Sequence, residues 1–355
     1  MALRRFLLPI LPLLMAFGAC DWPDQTEYLH GEAPRNVILF IGDGMGAEQA
    51  KAASIDRFGS DGGLGFQEFP VVGYVETRSA DSAVTDSAAA ATAMATGFRV
   101  GNGVISLSVP GDRSRLLTIL EYLQRYGKST GLVSTKFITD ATPAAFGAHQ
   151  SSRSMTDRIA LDYLERSRPD LLLGGGGYGI GDRIASANGY TVVADAAELD
   201  AVPDDARMVS GQFGSGAMPF EYDGLGDLPT LSVMVAKAIA ILSSDPDGFF
   251  LMVEGGLIDT ACHSNDLARA VREVQGFDDA VSIATAWAIG RTDTLIIVVA
   301  DHETGGLDGA SGTFSTTGHT SADVPVYAWG EGADRFGGTV ENRDIPCLIL
   351  DMPVD

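Results

Sequence analysis

The stretch Asn36-Val37-Ile38-Leu39-Phe40-Ile41-Gly42-Asp43-Gly44-Met45-Gly46 decides the fold. Residues 36–41 form a continuous apolar run rich in β-branched side chains. Such a run, apolar on both faces, suits a strand buried inside a parallel sheet. The chain then turns on glycines and presents a carboxylate, Asp43. Comparable runs recur at 131–133, 171–173, 249–253 and 295–299, and a further strand is expected at 324–329. Between them lie stretches with helical spacing of apolar residues, at 114–126, 154–166, 231–242 and 265–289. Strand and helix in alternation predict an α/β protein built as a three-layer α/β/α sandwich. No internal repeat or low-complexity linker interrupts residues 36–355.

Composition bounds the function. The chain has 355 residues, 45% hydrophobic and 20% charged, enough to bury a sizeable core. Its net charge of −23 excludes a nucleic-acid-binding surface, which needs a basic footprint. An anionic substrate must therefore be drawn in by local cations. The first residues read as a leader. Arg4 and Arg5 precede an apolar run at 6–17, too short to span a bilayer, then Gly18, Ala19 and Cys20. That order resembles a bacterial lipoprotein signal, with 1–19 removed and Cys20 lipidated, although Phe17 stands where such signals usually carry leucine. Plain signal cleavage with export is the alternative. Removing 1–19 takes away two arginines and no acids, moving the net charge to −25. Residues 20–35 read as a polar tether, and 36–355 as one catalytic domain, with 174–230 a surface elaboration of it. The expected location is periplasmic or membrane-anchored, with membrane contact only through Cys20. Cys262 and Cys347 either pair or remain buried thiols.

The residues just past each strand carry the chemistry. After residue 253 come Glu254-Gly255-Gly256, then Asp259 and His263; after 299 come Ala300-Asp301-His302-Glu303. Ligands of open α/β sheets bind beyond the carboxyl ends of the strands, so these acids should gather at one edge. Packed carboxylates repel and resist desolvation, and so require cations among them. Only five histidines occur: His30, His149, His263, His302 and His319. His263 lies four residues beyond Asp259, which puts both on one helical face. Aspartate with histidine suits zinc, and an all-oxygen set suits magnesium. Alone, each histidine reads as an ordinary surface or core residue. Several acids and histidines at strand ends point to a multi-metal site.

A second stretch, Val84-Thr85-Asp86-Ser87-Ala88-Ala89-Ala90-Ala91-Thr92-Ala93-Met94-Ala95-Thr96-Gly97, sets a serine at the mouth of an alanine-rich helix that stops at Gly97. Asp and Ser are common N-caps. A helix start also favours an anion, so capping and catalysis can share one geometry.

IGDGMG (41–46), VTDSAAAATAMATG (84–97), DATPAAFGAHQSSR (140–153), MVEGGLIDTACH (252–263), ADHETGG (300–306) and GHT (318–320) together make the chain similar to the alkaline phosphatases. The resemblance implies a large, mostly parallel central sheet and hydrolysis of phosphate monoesters, releasing alcohol and inorganic phosphate through a phosphoserine. It implies two zinc ions and one magnesium ion as cofactors. Ser87 is then the nucleophile and Arg153 the phosphate clamp. Asp43 bridges one zinc and the magnesium. Asp301 and His302 complete that zinc, and Asp259, His263 and His319 hold the other. Thr142 and Glu254 join Asp43 at magnesium, and Asp140 orders magnesium-bound waters. Cys262 is a rival ligand beside His263, read instead as a small buried side chain; His30 and His149 receive no role.

Two departures from the family pattern stand out. Thr260 occupies a position where many members carry Lys, His or Trp, which predicts weaker phosphate retention. Only sixteen residues separate His302 from His319, where larger relatives carry a long insert used at the dimer interface. A monomer is therefore expected beside the homodimer common in the family. The competing functions are a diesterase or sulfatase of the same superfamily, and a surface zinc- or phosphate-binding protein without turnover. Ser87, Arg153 and the complete third-metal trio argue for monoesters.

Overall fold

A computed structural model describes residues 34–354; the leader, most of the tether, Cys20 and His30 lie outside the described residues. Fourteen strands are described: β1 (Asn36–Gly42), β2 (Val71–Glu76), β3 (Ser129–Phe137), β4 (Leu171–Gly175), β5 (Thr191–Val193), β6 (Val209–Gln212), β7 (Phe249–Gly255), β8 (Thr294–Ala300), β9 (Glu303–Thr304), β10 (Leu307–Asp308), β11 (Thr313–Phe314), β12 (His319–Thr320), β13 (Val324–Gly330) and β14 (Gly338–Glu341). Ten of them form one sheet in the order β14-β2-β13-β8-β1-β7-β3-β4-β6-β5. From β8 to β5 every neighbouring pair is parallel, and β13 runs antiparallel to both β8 and β2.

The central strands β1, β7 and β8 are buried at every residue, as their unbroken apolar runs require. Successive side chains of a strand point to opposite faces. Phe249 accordingly packs on Trp287 of the helix Leu267–Ala288, while Phe250 packs on Phe146 of the helix Ala141–Gly147. One strand thus touches both helical layers. Leu231–Leu242 and Ala47–Phe58 pack against the long helix, and Ser87–Thr96 packs against Ala141–Gly147. The expected α/β sandwich around a large, mostly parallel sheet is what forms. Among the described residues no helix is long and apolar enough to cross a membrane.

Several local expectations change. The helix expected over 114–126 begins only after Thr118, whose hydroxyl caps Glu121 N–H while the Glu121 carboxylate reaches back to Thr118 N–H. Upstream, Leu107 pairs with Arg115 in a short bridge, which holds 114–117 extended. The helix expected over 154–166 is α-helical only from Thr156 to Asp162 and closes in a π turn, Tyr163–Ser167. Residues 174–230 do more than elaborate the surface, since β5 and β6 extend the sheet edge beyond β4. Cys262 is a buried free thiol, so it does not pair with Cys347.

Candidate active site

The register of the central strands aligns the carboxylates. Ile41 lies opposite Glu254 on one side and Val299 on the other; Gly42 lies opposite Gly255 and Ala300. Asp43 and Asp301 therefore emerge side by side, one residue past the sheet, with Glu254 just behind them. The turn after β1 needs glycine. Gly44 has φ +71°, and a Cβ there would lie 2.8 Å from Thr304 Oγ1 and 3.0 Å from Asp259 Cα. Its N–H donates to Asp301 Oδ1 at 3.1 Å, as does His302 N–H at 2.9 Å.

Two donor groups result: Asp43 with Asp301 and His302, and Asp259 with His263 and His319, the ligand atoms of each set lying within 4.8 Å of one another. The short ladder between β9 and β12 puts His319 opposite Thr304, and the His319 ring stacks on His302 with centroids 3.6 Å apart. Nδ1–H of His319 donates to Thr85 O at 2.9 Å, and Nδ1–H of His263 to Thr317 O at 2.5 Å. Both rings therefore turn Nε2 toward Asp259, 3.2 Å away for His263 and 3.6 Å for His319. Thr304 ties the groups together. Its hydroxyl donates to Asp259 Oδ1 at 2.7 Å and lies 3.2 Å from His302 Nδ1, whose N–H it can accept.

The electrostatics are those of a buried, anionic donor set. Burial and then the charge of Asp301 push Asp43 well above the usual carboxylate range. Burial, with neighbouring acids, raises Glu254 to about 7 and Asp301 to about 8. Burial also lowers His302 to about 3, which keeps its ring neutral. Burial opposes the low pKa of Asp259, but contact with His263 and the nearby His302 hold it down. The buried atoms Asp43 Oδ1, Asp301 Oδ2, Glu254 Oε1 and Thr142 Oγ1 have no hydrogen-bond partner. Orphaned buried oxygens are costly. These four belong to the residues whose chemistry suits hard and borderline divalent cations, so the donor set fits such ions.

Ser87 is the first residue of the helix Ser87–Thr96, all ten residues of which are buried. Its small alanines allow that close fit. Asp86, not Ser87, is the cap: its Oδ1 accepts Ala89 N–H at 3.0 Å, which leaves the Ser87 hydroxyl free for other contacts. Ser87 Oγ lies 3.4 Å from His302 Nε2. Arg153 bridges two acids, Nη1 reaching Asp86 Oδ2 at 3.3 Å and Nη2 reaching Asp140 Oδ1 at 3.2 Å. It is held at the site and is no free surface arginine. Asp140 meets a second cation, Lys136, at 3.7 Å. Burial works against the Lys136 charge, but Asp140, Asp43, Asp259 and Glu254 outweigh it and raise the pKa.

Sequence reasoning missed Thr304, Glu303 and Lys136. Glu303 Oε1 accepts Gln49 Nε2 at 2.7 Å, and its Oε2 accepts the Thr320 hydroxyl at 2.6 Å, which anchors the strand carrying His319. Thr304 and Glu303 sit inside the ADHETGG stretch, so that stretch held their signal; Lys136 had none beyond lying at a strand end. Cys262 stays buried beneath Gln49 and joins neither donor group. His149 is buried and pairs with Glu121 at 3.1 Å, away from the donor groups.

A buried serine beside two such donor groups, at the carboxyl edge of a parallel sheet, defines an enzyme of the metal-assisted hydrolase class. Similarity to known proteins narrows the class. The alkaline phosphatase family profile matches residues 34–314. Alkaline phosphatase 3 of Bacillus subtilis is 39% identical over 88% of this chain and 87% of its own length. The cold-active alkaline phosphatase of a Shewanella species superposes with a TM-score of 0.81 at 30% identity, covering 89% of this chain and 99% of that one. The Antarctic TAB5 alkaline phosphatase superposes with a TM-score of 0.79 at 34% identity, covering 90% and 97%. A variant of that enzyme has been solved with magnesium bound. The chain belongs to the alkaline phosphatase family.

Proposed function

We propose that this phosphomonoester hydrolase works through a covalent phosphoserine on Ser87, with two zinc ions and one magnesium ion held by its donor groups. Asp43, Asp301 and His302 would hold one zinc, and Asp259, His263 and His319 the other. Asp43, Thr142 and Glu254 would hold magnesium, with Asp140 ordering its waters. Bound there, divalent cations lower the pKa of a coordinated hydroxyl or water and offset the charge of the transferring phosphoryl group.

The chain's own residues do the rest. Arg153 offers a planar fork to two phosphate oxygens, already aimed by Asp86 and Asp140. Ser87 Oγ bonds to phosphorus as the bond from phosphorus to the ester oxygen breaks, and the serine proton passes through solvent to that oxygen, which leaves as the alcohol. Water then attacks phosphorus, the Oγ–P bond breaks, one water proton passes to Ser87 Oγ, and phosphate departs. The positive end of the helix dipole supports the phosphorylated serine. Burial gives the site a direction: Asp301 and His302 are fully buried, whereas the His263 side chain is 41% exposed. Leaving group and water would therefore pass on the His263 side.

The observation that carries this reading is the 3.4 Å approach of Ser87 Oγ to His302, within the buried donor array. The test is hydrolysis of an aryl phosphate at alkaline pH by wild type and Ser87→Ala, with metal content measured on both. A phosphorylated Ser87 trapped by acid quench supports the covalent route; turnover by Ser87→Ala would refute it. Phosphate diesters and sulfate esters, run in parallel, should turn over far more slowly.

We also propose export by the leader at 1–19, with Cys20 as the lipid-bearing residue; mass spectrometry of the mature N-terminus tests this. The short segment between His302 and His319 supports a monomer over a homodimer, to be read by light scattering.

A further inference from the structure

Lys136 lies at the end of β3, outside every role assigned so far. Its Nζ sits 3.0 Å from Thr260 Oγ1 and 3.7 Å from Asp140 Oδ2. Arg153 reaches the other oxygen of the same Asp140 carboxylate. Two cations from different elements thus converge on one acid beside the donor array. The lysine is not there by accident of a flexible surface, because its side chain is only 18% exposed. A Cβ on Gly256 would lie 2.3 Å from Lys136 Cγ, so that glycine leaves room for the lysine stem. Thr135, the preceding residue, accepts Gly256 N–H at 2.9 Å and Leu257 N–H at 3.2 Å, which docks the strand end onto the Asp259 helix. The stem is confined and the ammonium is directed along the seam between Asp140 and Thr260.

We propose that Lys136 is a phosphate-binding cation of this enzyme, acting with Arg153 on the phosphoryl group held over Ser87. The short Thr260 side chain makes this possible. It accepts one lysine hydrogen bond, and with Asp140 at 3.7 Å as a second partner the three-donor ammonium keeps one donor for the anion. The weaker phosphate retention expected from a threonine at 260 then does not occur, because the charge arrives from 136. The proposal rests on the phosphomonoesterase reading.

The test uses metal-loaded wild type, Lys136→Met, Lys136→Arg and the double variant Lys136→Met with Thr260→Lys. Inorganic phosphate binding is measured by calorimetry, and aryl phosphate turnover and metal content on the same samples. Expected is a loss of phosphate affinity of roughly tenfold or more in Lys136→Met. Metal content should stay unchanged, and affinity should return at least in part in Lys136→Arg and in the double variant. Unchanged phosphate affinity in Lys136→Met overturns the proposal. So does a loss that tracks loss of metal, since Lys136 would then only balance the ligand charges. If wild type binds phosphate but hydrolyses no ester, the parent reading fails instead, and the affinity comparison still decides the role of Lys136.

Discussion

Ser87 and His302 meet at 3.4 Å, Oγ to Nε2, although 215 residues separate them. One comes from the first turn of a buried helix and the other from the residue pair just past β8. His302 is kept neutral by burial, so its Nε2 offers a lone pair rather than a charge toward the serine. Ser87→Ala should therefore lower turnover by roughly a thousandfold or more, as removal of a nucleophile does elsewhere. The helix should survive, because Asp86 supplies the cap. Steady-state rates together with a thermal melt check this; a folded mutant retaining wild-type turnover would remove Ser87 from the mechanism.

Arg153 is aligned by two carboxylates before any substrate arrives. Arg153→Ala should raise the inhibition constant of inorganic phosphate about 10- to 100-fold, the range of a lost charge-assisted hydrogen bond pair. Arg153→Lys should recover only part of the loss, since an ammonium lacks the fork. Competitive inhibition assays give the comparison, and equal inhibition of wild type and Arg153→Ala would contradict the clamp.

Thr304 joins the two donor groups through one hydroxyl. Thr304→Val keeps the shape and removes that link. Metal affinity should fall about 10- to 100-fold, as for other groups that orient ligands from behind. Titration of chelator against bound metal reads this directly. Undiminished retention would show that Asp259 and His302 are oriented without it.

Removing the metals should leave a pH-sensitive fold. In the metal-free protein Glu254 rises from 4.5 to about 7 and Asp301 from 3.8 to about 8, both through burial first. Folded protein then holds protons that the unfolded chain has released, so stability falls as pH rises through that window. His302, lowered from 6.5 to about 3, works in the opposite direction, but only below pH 6.5. Asp259, held low, matters only below its ordinary 3.8. Between pH 6.5 and 8 the raised acids act unopposed. The melting temperature of chelated protein should drop more steeply across that interval than that of reconstituted protein, in which Glu273, raised by burial to about 8 away from the donor groups, still contributes. A flat profile for the chelated protein would show that these acids are not protonated in it.

Much of this was legible because the decisive signals are local. An unbroken apolar run such as that of β1 can hardly be anything but a buried strand, and a carboxylate at its end marks the ligand edge. The boundaries were less legible where a distant partner intervened. The stretch 114–117 has helical spacing, yet pairing between Leu107 and Arg115 holds it extended. The strands β5 and β6 are short, at three and four residues, and carry too little periodicity to be read before their neighbour β4 is in place.

By itself the sequence determined the α/β class, the central strands, the helix that begins at Ser87, and the donor residues beyond β1, β7 and β8. These depend on residue type and on spacing within a few positions, which the chain carries locally. Only the tertiary structure decided which oxygens are left without partners, which ring nitrogens face Asp259, and that Asp86 rather than Ser87 caps the helix. It alone brought Lys136 to Thr260 across 124 residues of chain. Such relations depend on sheet register and on hydrogen bonds between segments far apart, and no local pattern encodes a distance between them.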